Sequence, residues 1–158
     1  MQEQRIAPVQ AAWSELECFG CGPANDAGLG LESYVAADGE RLVATHDPDE
    51  RYTSGAPNVA YGGLVASLID CHSVWTAITV AHREHGYDLA ERRLEYVTGD
   101  LSVNYRRPTP LDEQLRIEGW VEGEVGRTVT VHTEVGTDEE TTASGEVTAV
   151  EVSDHYGE

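Results

Sequence analysis

Short segments with the composition of β-strands lie on both sides of one long apolar segment in this chain of 158 residues. Leu29 to Ala36 and Arg41 to His46 are the first two predicted strands, and Ala37-Asp38-Gly39 between them predicts a hairpin turn. Four more strands are predicted after the apolar segment, over Tyr96 to Tyr105, Gln114 to Glu122, Arg127 to Val135 and Thr142 to Val152. Strands in this mostly hairpin order indicate an antiparallel sheet.

The apolar segment begins near Val59 and ends before Gly86. Asn58 is a plausible amino-terminal cap for a helix here, and Gly86 suits a left-handed carboxyl-terminal cap. The segment is apolar enough to raise a membrane span, but its glycines, its Ser and Thr residues, Asp70 and His72 favour a core helix. We therefore predict one long helix in the core of a domain and no membrane partner.

One apolar helix with about six strands predicts an α+β fold, in which a curved antiparallel sheet wraps the helix. Residues 1–158 form a single domain in this interpretation, and residues 1–28 form a turn-rich segment. A helix that is apolar on all sides must be covered on all sides, which one small sheet does not easily do. We therefore expect a homo-oligomer, a dimer or a tetramer, that joins sheets or buries helix faces.

A single acidic residue, Asp70, interrupts the apolar helix. Acids are frequent elsewhere in the chain, yet no other lies between Arg51 and Arg83. Burying a carboxylate without a partner is unfavourable, so such a group is a candidate functional residue. The alternative is a buried carboxylate that is hydrogen-bonded for structural reasons.

The charge of the chain disfavours one class of partner. It has 29 acidic residues and 10 basic ones, all arginine, for a formal net charge of −19. Phosphate binding needs clustered positive charge, so no nucleic acid partner is expected. A lysine-free acidic surface is typical of a halophilic protein from a high-salt cytoplasm, an ordinary acidic protein being the alternative. The absence of an apolar run in Met1 to Pro8 and an odd number of cysteines also predict a cytoplasmic location.

Four motifs follow one another along the chain: Cys18-Phe19-Gly20-Cys21-Gly22-Pro23, then Gly28-Leu29, then Tyr61-Gly62-Gly63 with Asp70, then Thr98 to Pro108. In this order and with these gaps they resemble the hotdog-fold acyl-CoA thioesterases of the PaaI type. The chain is most similar to the branch with an amino-terminal Cys-Phe-Gly-Cys-Gly segment. The resemblance covers about residues 16 to 150 and implies a hotdog fold, an acyl-CoA substrate and an active site at a subunit interface.

The resemblance also implies roles for four residues. Asp70 matches the catalytic carboxylate, which acts as general base on water or as nucleophile on the thioester. Thr98 matches the position whose hydroxyl holds the attacking water, although a strand threonine alone is usually only a strand residue. Gly62 and Gly63 match the glycines at the start of the helix, one of whose amides binds the thioester oxygen. Unpaired N–H groups and a partial positive charge at a helix amino terminus suit an oxyanion on physical grounds as well.

Helix geometry adds a constraint to these roles. Gly63 and Asp70 are seven residues apart, which is roughly 10 Å along a helix. One thioester carbon cannot contact both, since attack and oxyanion binding both need contacts of about 3 Å. Two helices are therefore needed, and we predict that each site takes Gly62 and Gly63 from one subunit and Asp70 with Thr98 from the other.

Four further residues are candidate substrate contacts. Tyr61 stands where the family usually has a histidine; tyrosine donates a hydrogen bond but does not cycle protons easily near neutral pH. Asn58 is a candidate for orienting the substrate carbonyl, with its role as helix cap as the alternative. Arg106 and Arg107 are candidates for binding the phosphates of coenzyme A, the alternative being a solvated strand end paired with nearby acids.

The cysteine pair Cys18-x-x-Cys21 suggests zinc, but a closed zinc site needs four ligands. Cys71 and His72 are adjacent on the helix and diverge by about 100°, so they chelate poorly together. We therefore expect no metal and a structural role for the cysteine turn. No cofactor is expected other than coenzyme A as part of the substrate.

The sequence thus predicts a thioesterase that hydrolyses an acyl-CoA to a free carboxylic acid and coenzyme A. Two alternatives stay open. One is a non-catalytic module on the same fold that binds or senses acyl-CoA, which Tyr61 keeps possible. The other is an acyl-CoA hydratase, which Tyr61 disfavours because those enzymes typically place a catalytic histidine with the carboxylate.

Overall fold

A computed structural model describes residues 6–152 of the chain. Its architecture is one long α-helix, α1 (Gly62–His85), packed against a single six-stranded antiparallel sheet, which confirms the predicted α+β class. The strands are β1 (Tyr34–Val35), β2 (Leu42–His46), β3 (Tyr96–Tyr105), β4 (Leu115–Glu122), β5 (Thr128–Gly136) and β6 (Thr141–Glu151). Short 3-10 helices occupy Val9–Trp13 and Glu50–Tyr52. Residues 1–5 of the predicted turn-rich segment lie outside the described residues.

The strand order in the sheet is β1-β2-β4-β5-β6-β3. The ten-residue strand β3 pairs along its length with β6 and therefore forms one edge of the sheet. The other edge is the two-residue strand β1. A long edge strand presents a row of unpaired backbone N–H and C=O groups, so β3 is the edge at which another strand can add.

The first predicted strand is wrong for most of its length. Residues 29–33 are not in the sheet, because their backbone is bonded to the cysteine loop: the Leu29 amide donates to the Phe19 carbonyl at 2.7 Å, and the Leu31 amide donates to the Gly20 carbonyl at 3.0 Å. The other five strands agree with the prediction to within a few residues at each end. Strand-like composition cannot distinguish pairing with a sheet from pairing with a loop.

The ends of α1 agree only partly with prediction. Gly86 is the carboxyl-terminal cap, with φ of 70°, as predicted. The helix begins at Gly62, however, with Tyr61 as its amino-terminal cap residue, and so the prediction of Asn58 as cap is wrong. Asn58 has φ of 56° and lies in the preceding loop, which is a backbone conformation that asparagine tolerates better than most residues.

A single chain covers α1 more completely than the sequence suggested. The sheet covers one side, and the amino-terminal segment covers much of another, where the Trp13 and Trp75 rings lie 4.9 Å apart. By length and composition alone α1 could cross a membrane, but 67% of its most apolar window is buried within this chain. What stays half-exposed is one stripe of the helix: Gly63, Ala66, Ser67, Asp70, Cys71 and Val74. This stripe and the β3 edge are therefore the surfaces that a second subunit would cover.

His72 is a fully buried structural residue of α1. Its Nε2 lies 2.9 Å from the Leu42 carbonyl oxygen, to which only a protonated nitrogen can donate, so Nδ1 accepts from the Ser33 hydroxyl at 2.9 Å. Burial lowers the pKa of His72 to about 4, against an ordinary value of 6.5. The ring is therefore neutral at physiological pH and joins α1 to β2 and to the amino-terminal segment.

This burial predicts a specific loss of stability in acid. As the pH falls, the unfolded chain binds a proton at His72 before the folded chain does. The stabilisation of the folded state by neutral His72 is therefore present above pH 6.5 and is lost as the pH falls from 6.5 to about 4. The loss should reach about 3 kcal/mol in the free energy of unfolding. In His72→Gln the glutamine amide can still donate to Leu42, but the packing of the buried ring is lost, so the variant should be less stable than the wild type at pH 8. Glutamine does not titrate, so this difference in the free energy of unfolding should shrink by about 3 kcal/mol at pH 4.

Urea denaturation at a series of pH values measures the difference. Ser73→Ala is the matched control, since it removes a buried hydrogen bond to Thr133 but no titrating group, and its stability should differ from the wild type equally at every pH. A difference for His72→Gln that does not change with pH would contradict the assignment.

Candidate functional site

Asp70 and Thr98 form a hydrogen-bonded pair between α1 and β3. The Thr98 hydroxyl donates to Asp70 Oδ1 at 2.5 Å. Asp70 is half-exposed on the helix stripe rather than buried in the core, which removes much of the cost that a stranded carboxylate would carry. Since Oδ1 is engaged by Thr98 and Oδ2 has no hydrogen-bond partner among residues 6–152, Oδ2 is available to a substrate or a water.

A β-bulge turns Thr98 toward the helix. Thr98 pairs with Ala149 and Asp100 with Thr148, so Gly99 is an extra residue on β3. Thr98 and Tyr105 are an odd number of residues apart and would face opposite sides of a regular strand, yet both contact α1. The one-residue bulge restores them to one face. A Cβ on Gly99 would lie 2.7 Å from Val150, which accounts for glycine at this position.

The amino terminus of α1 forms a second candidate group. The amides of Gly62 and Gly63 have no hydrogen-bond acceptor among the residues that the structure describes, and Tyr61 makes no side-chain cap. The Tyr105 hydroxyl donates to the Gly62 carbonyl at 2.7 Å, which joins this end of the helix to the end of β3. A Cβ on Gly63 would lie 2.3 Å from the Tyr61 ring, so the Tyr61 ring closes one side of the helix start.

Both groups are attached to β3, but at different places. Thr98 and Tyr105 are the contact residues, and because Gly99 is bulged they are six strand positions apart, or about 20 Å. Along α1, Gly63 and Asp70 are about 10 Å apart. The structure therefore brings Asp70 together with Thr98, and Gly62 together with Tyr105. Within a single chain, the Asp70 carboxylate and the amides at the helix start are too far apart to contact the same reacting atom.

A mostly apolar cavity of about 260 Å³ adjoins Asp70 and Thr98. Val74, Trp75, Tyr96 and Val97 form its apolar walls, and three cysteines complete it. A larger groove of about 760 Å³ lies at the other end of the helix, around Arg83 and Trp120, where five acidic side chains outnumber two arginines. That groove contains neither Asp70 nor Thr98, and its acidic lining would repel an anionic substrate. The smaller cavity is therefore the better candidate for a substrate-binding site.

Cys71 joins Cys18 and Cys21 at this cavity, which the sequence interpretation did not predict. The three Sγ atoms lie within 4.8 Å of one another, and the sulfurs of Cys18 and Cys71 are 3.8 Å apart. Contacts with the thiols of Cys21 and Cys71, helped by nearby backbone amides, lower the pKa of the Cys18 thiol. His72 points away to Leu42, as its angular separation from Cys71 on the helix required.

Arg106 and Arg107 directly follow Tyr105 and are both exposed. Arg107 lies 3.4 Å from Glu140 in an exposed ion pair, which agrees with the structural alternative for that residue. Arg106 forms no ion pair among residues 6–152. The two arginines therefore differ: Arg106 is available to an anion, and Arg107 would first have to leave Glu140 or share it.

Asn58 has a structural role in the loop before the helix. Its Oδ1 accepts from the amides of Leu111 and Asp112, both at 3.0 Å, and its Nδ2 donates to the Asp112 carboxylate at 2.9 Å. Oδ1 thus accepts two hydrogen bonds and Nδ2 donates one within the protein. Only the second N–H of Nδ2 stays without an acceptor among residues 6–152, so the observed bonds favour the structural role, and a contact with a substrate carbonyl stays a prediction.

The family model of the Thioesterase superfamily matches residues 57–144 of the chain. This chain belongs to the thioesterase superfamily. The matched residues extend from the loop before α1 into β6 and include both groups described above, whereas Cys18 and Cys21 lie outside them. No match was found among curated proteins.

Solved structures agree with this membership. A thioesterase superfamily protein from Shewanella loihica PV-4 is 32% identical, with 82% of this chain and 97% of that chain covered and a TM-score of 0.64. A hypothetical thioesterase from Streptococcus pneumoniae TIGR4, solved with coenzyme A, is 21% identical over 72% and 82% of the two chains, with a TM-score of 0.59.

The PaaI protein from the phenylacetic acid degradation operon of Escherichia coli is 15% identical over 79% and 81% of the two chains, with a TM-score of 0.62. At these identities the streptococcal and Escherichia coli proteins show the fold alone. The long helix on a six-stranded antiparallel sheet is the hotdog fold of these superfamily members, as the sequence predicted.

The role of Asn58 in this superfamily member can be tested with two substitutions. Asn58→Gly removes the side-chain hydrogen bonds but suits the left-handed backbone, and it should lower the free energy of unfolding by about 1 kcal/mol. Asn58→Ala also forces a Cβ into that conformation, and it should cost about 1–2 kcal/mol more. Urea denaturation measures both. A raised KM with unchanged stability in Asn58→Gly would instead assign Asn58 to the substrate.

Proposed function

We propose that the protein hydrolyses an acyl-CoA thioester to a free carboxylic acid and coenzyme A. The observation that carries the proposal is the Thr98–Asp70 pair at an apolar cavity, on the same helix whose first amides are unpaired. A carboxylate beside an apolar cavity supplies a base next to room for an acyl group. Superfamily membership supports the same reaction class.

In the proposed reaction, a water held by Thr98 loses a proton to Asp70 Oδ2 and attacks the thioester carbon. The Thr98 hydroxyl donates its one hydrogen bond to Asp70 Oδ1, so the Thr98 oxygen can accept a hydrogen bond from that water. The carbonyl oxygen becomes an oxyanion bound by the Gly62 and Gly63 amides. The C–S bond then breaks, and the departing thiolate takes the proton from Asp70. Direct attack by Asp70 Oδ2, followed by hydrolysis of the resulting anhydride, is the alternative course.

A dimer through the β3 edge would complete this site. Thr98 to Tyr105 are exposed except for half-buried Val103, and Leu101 on this edge is 39% exposed. If two β3 strands pair in antiparallel fashion around a two-fold axis at Ser102, which is midway when the bulged Gly99 is left out of the count, Thr98 of one subunit lies opposite the partner's Tyr105. Asp70 then approaches the partner's helix start, where Tyr105 of the same chain holds the Gly62 carbonyl and leaves the Gly62 amide unpaired.

Arg106 and Arg107 would contact the coenzyme A phosphates in this arrangement. Both follow Tyr105 and would therefore lie at the mouth of the shared site. A chain of net charge −19 repels an anionic ligand at long range, so binding needs local positive charge. Arg106, which forms no ion pair among the described residues, is the stronger candidate.

Tyr61 supports one competing function, a non-catalytic module that binds acyl-CoA. Its ring lies against Gly63 on the side where a Cβ would stand, and it would narrow the approach to the helix start if the ring did not move. The hydratase alternative has less support, because His72 is bonded to Leu42 and Ser33 rather than to Asp70. Substitution of Asp70 distinguishes these possibilities.

Asp70→Asn keeps the size of the side chain and its hydrogen bond from Thr98 but removes the base. We expect kcat for release of free thiol from a panel of acyl-CoAs to fall by at least about 100-fold. Thr98→Val should lower kcat by about 10-fold, since it removes a hydrogen bond worth about 1.4 kcal/mol in the transition state. Thr98→Ser, the matched control, retains the hydroxyl and should retain most of the activity.

A thiol reagent measures the release, and thermal shifts with the same acyl-CoAs measure binding. If Asp70→Asn hydrolyses acyl-CoA as fast as the wild type, Asp70 is not the catalytic carboxylate. If the wild type is stabilised by acyl-CoA without any turnover, the binding module replaces the thioesterase.

A further inference from the structure

We propose that Cys18, Cys21 and Cys71 bind a soft divalent cation, with zinc as the best match, and leave a fourth coordination position toward the cavity beside Asp70. This inference replaces the expectation of a purely structural cysteine turn. It stands apart from the proposed hydrolysis, because it depends only on the three sulfurs and on the loop that carries two of them.

The spacing of the sulfur atoms fits a tetrahedral zinc site. Zinc–thiolate bonds of about 2.3 Å at tetrahedral angles put two sulfurs about 3.8 Å apart. Cys18 Sγ and Cys71 Sγ are 3.8 Å apart, and the whole set lies within 4.8 Å. A disulfide would need sulfurs about 2.05 Å apart, so the measured spacing corresponds to three separate thiols around a common centre.

The loop that carries Cys18 and Cys21 is built against the helix. The Gly22 amide donates to the Cys18 carbonyl at 2.8 Å, which closes the turn. A Cβ on Gly20 would lie 2.3 Å from Cys71 Sγ, and a Cβ on Gly22 would lie 2.3 Å from the Cys18 nitrogen. Glycine at position 20 therefore lets the loop approach Cys71 so closely, and glycine at position 22 lets the turn itself close.

The surroundings of the sulfurs favour an ion over three inert thiols. The Trp75 indole N–H donates to Cys21 Sγ at 3.3 Å, as outer partners of metal-bound thiolates do. Cys21 is buried, Cys71 half-buried and Cys18 exposed, so solvent reaches the cluster from one side. Three thiolates select a soft metal such as zinc over magnesium or calcium.

The fourth position is not filled by a protein group in the described part of the chain. Among residues 6–152 no histidine, carboxylate or further cysteine joins the three sulfurs within 4.8 Å. Three protein ligands with one open position are typical of zinc sites that bind a water or an exchangeable ligand. Cys18, Cys21, Cys71 and Asp70 all line the same cavity, so that ligand would lie at the cavity wall beside the Asp70–Thr98 pair.

The test uses the purified full chain after reduction and removal of metal. Titration with zinc should bind one ion per chain, and cobalt in its place should give the sulfur-to-cobalt charge-transfer absorption of a thiolate site. Single substitutions Cys18→Ser, Cys21→Ser and Cys71→Ser should each weaken zinc binding at least 10-fold and reduce that absorption. Asp70→Asn is the matched control: it changes the neighbouring residue and the cavity, and it should bind zinc as the wild type does.

A second measurement on the wild type avoids variants that fail to fold. Zinc should slow alkylation of all three thiols together in the native protein, and excess chelator should restore the original rate. Equal alkylation rates with and without zinc, less than one ion bound to every five chains, or a disulfide that persists between two of these cysteines in the protein as isolated would each overturn the proposal. Loss of zinc in Asp70→Asn would contradict the open fourth position.

Discussion

The spacing of functional groups along α1 is the constraint on which the rest of the site depends. Gly62 and Gly63 stand at the helix start, and Asp70 lies about two turns further on. Two hydrogen bonds to β3, from Thr98 to Asp70 and from Tyr105 to Gly62, hold the helix on the strand at these two places. Because a packed helix and a paired strand do not shorten, no small movement of one chain can bring a carboxylate and an oxyanion site to the same carbon.

The same constraint explains why β3 is both an edge and a part of the site. β3 carries Thr98 near one end and Tyr105 at the other. If its free edge pairs with the same strand of a second subunit, Thr98 of each subunit lies near Tyr105 of the other, and two equivalent sites form. The Gly99 bulge is what allows both side chains to face the helix. The local irregularity and the proposed assembly are therefore two consequences of one geometric requirement.

Much of this arrangement could be predicted from the sequence, because it depends on local patterns. A lone acid in an apolar helix indicated Asp70, the family resemblance put Gly62 and Gly63 at the helix start, and five of the strands follow from composition and turns. Gly99 within a predicted strand was the available signal for the bulge, since glycine in a strand interior often marks one. The predicted start of α1 was wrong because asparagine suits both a helix cap and a left-handed loop position, and Asn58 occupies the second.

The remaining features depend on contacts between distant segments. Residues 29–33 pair with the cysteine loop instead of the sheet, and Cys71 meets Cys18 and Cys21 across about fifty residues of sequence. Neither contact leaves a periodic signal, because each involves a few backbone groups or one side chain. The amino-terminal segment also covers part of the helix, so apolarity alone overstated the need for a second subunit.

The central claim is that each active site combines one subunit's Gly63 with its partner's Asp70, and complementation between two inactive variants tests it most directly. In a dimer of Asp70→Asn with Gly63→Val, one site contains both substitutions and the other contains neither. Equal amounts of the two variants, unfolded and refolded together, should regain about a quarter of the wild-type acyl-CoA hydrolysis per chain, since half of the dimers are mixed and each has one intact site. Each variant refolded alone should remain inactive. A mixture that forms mixed dimers but stays as inactive as its components would contradict the shared site.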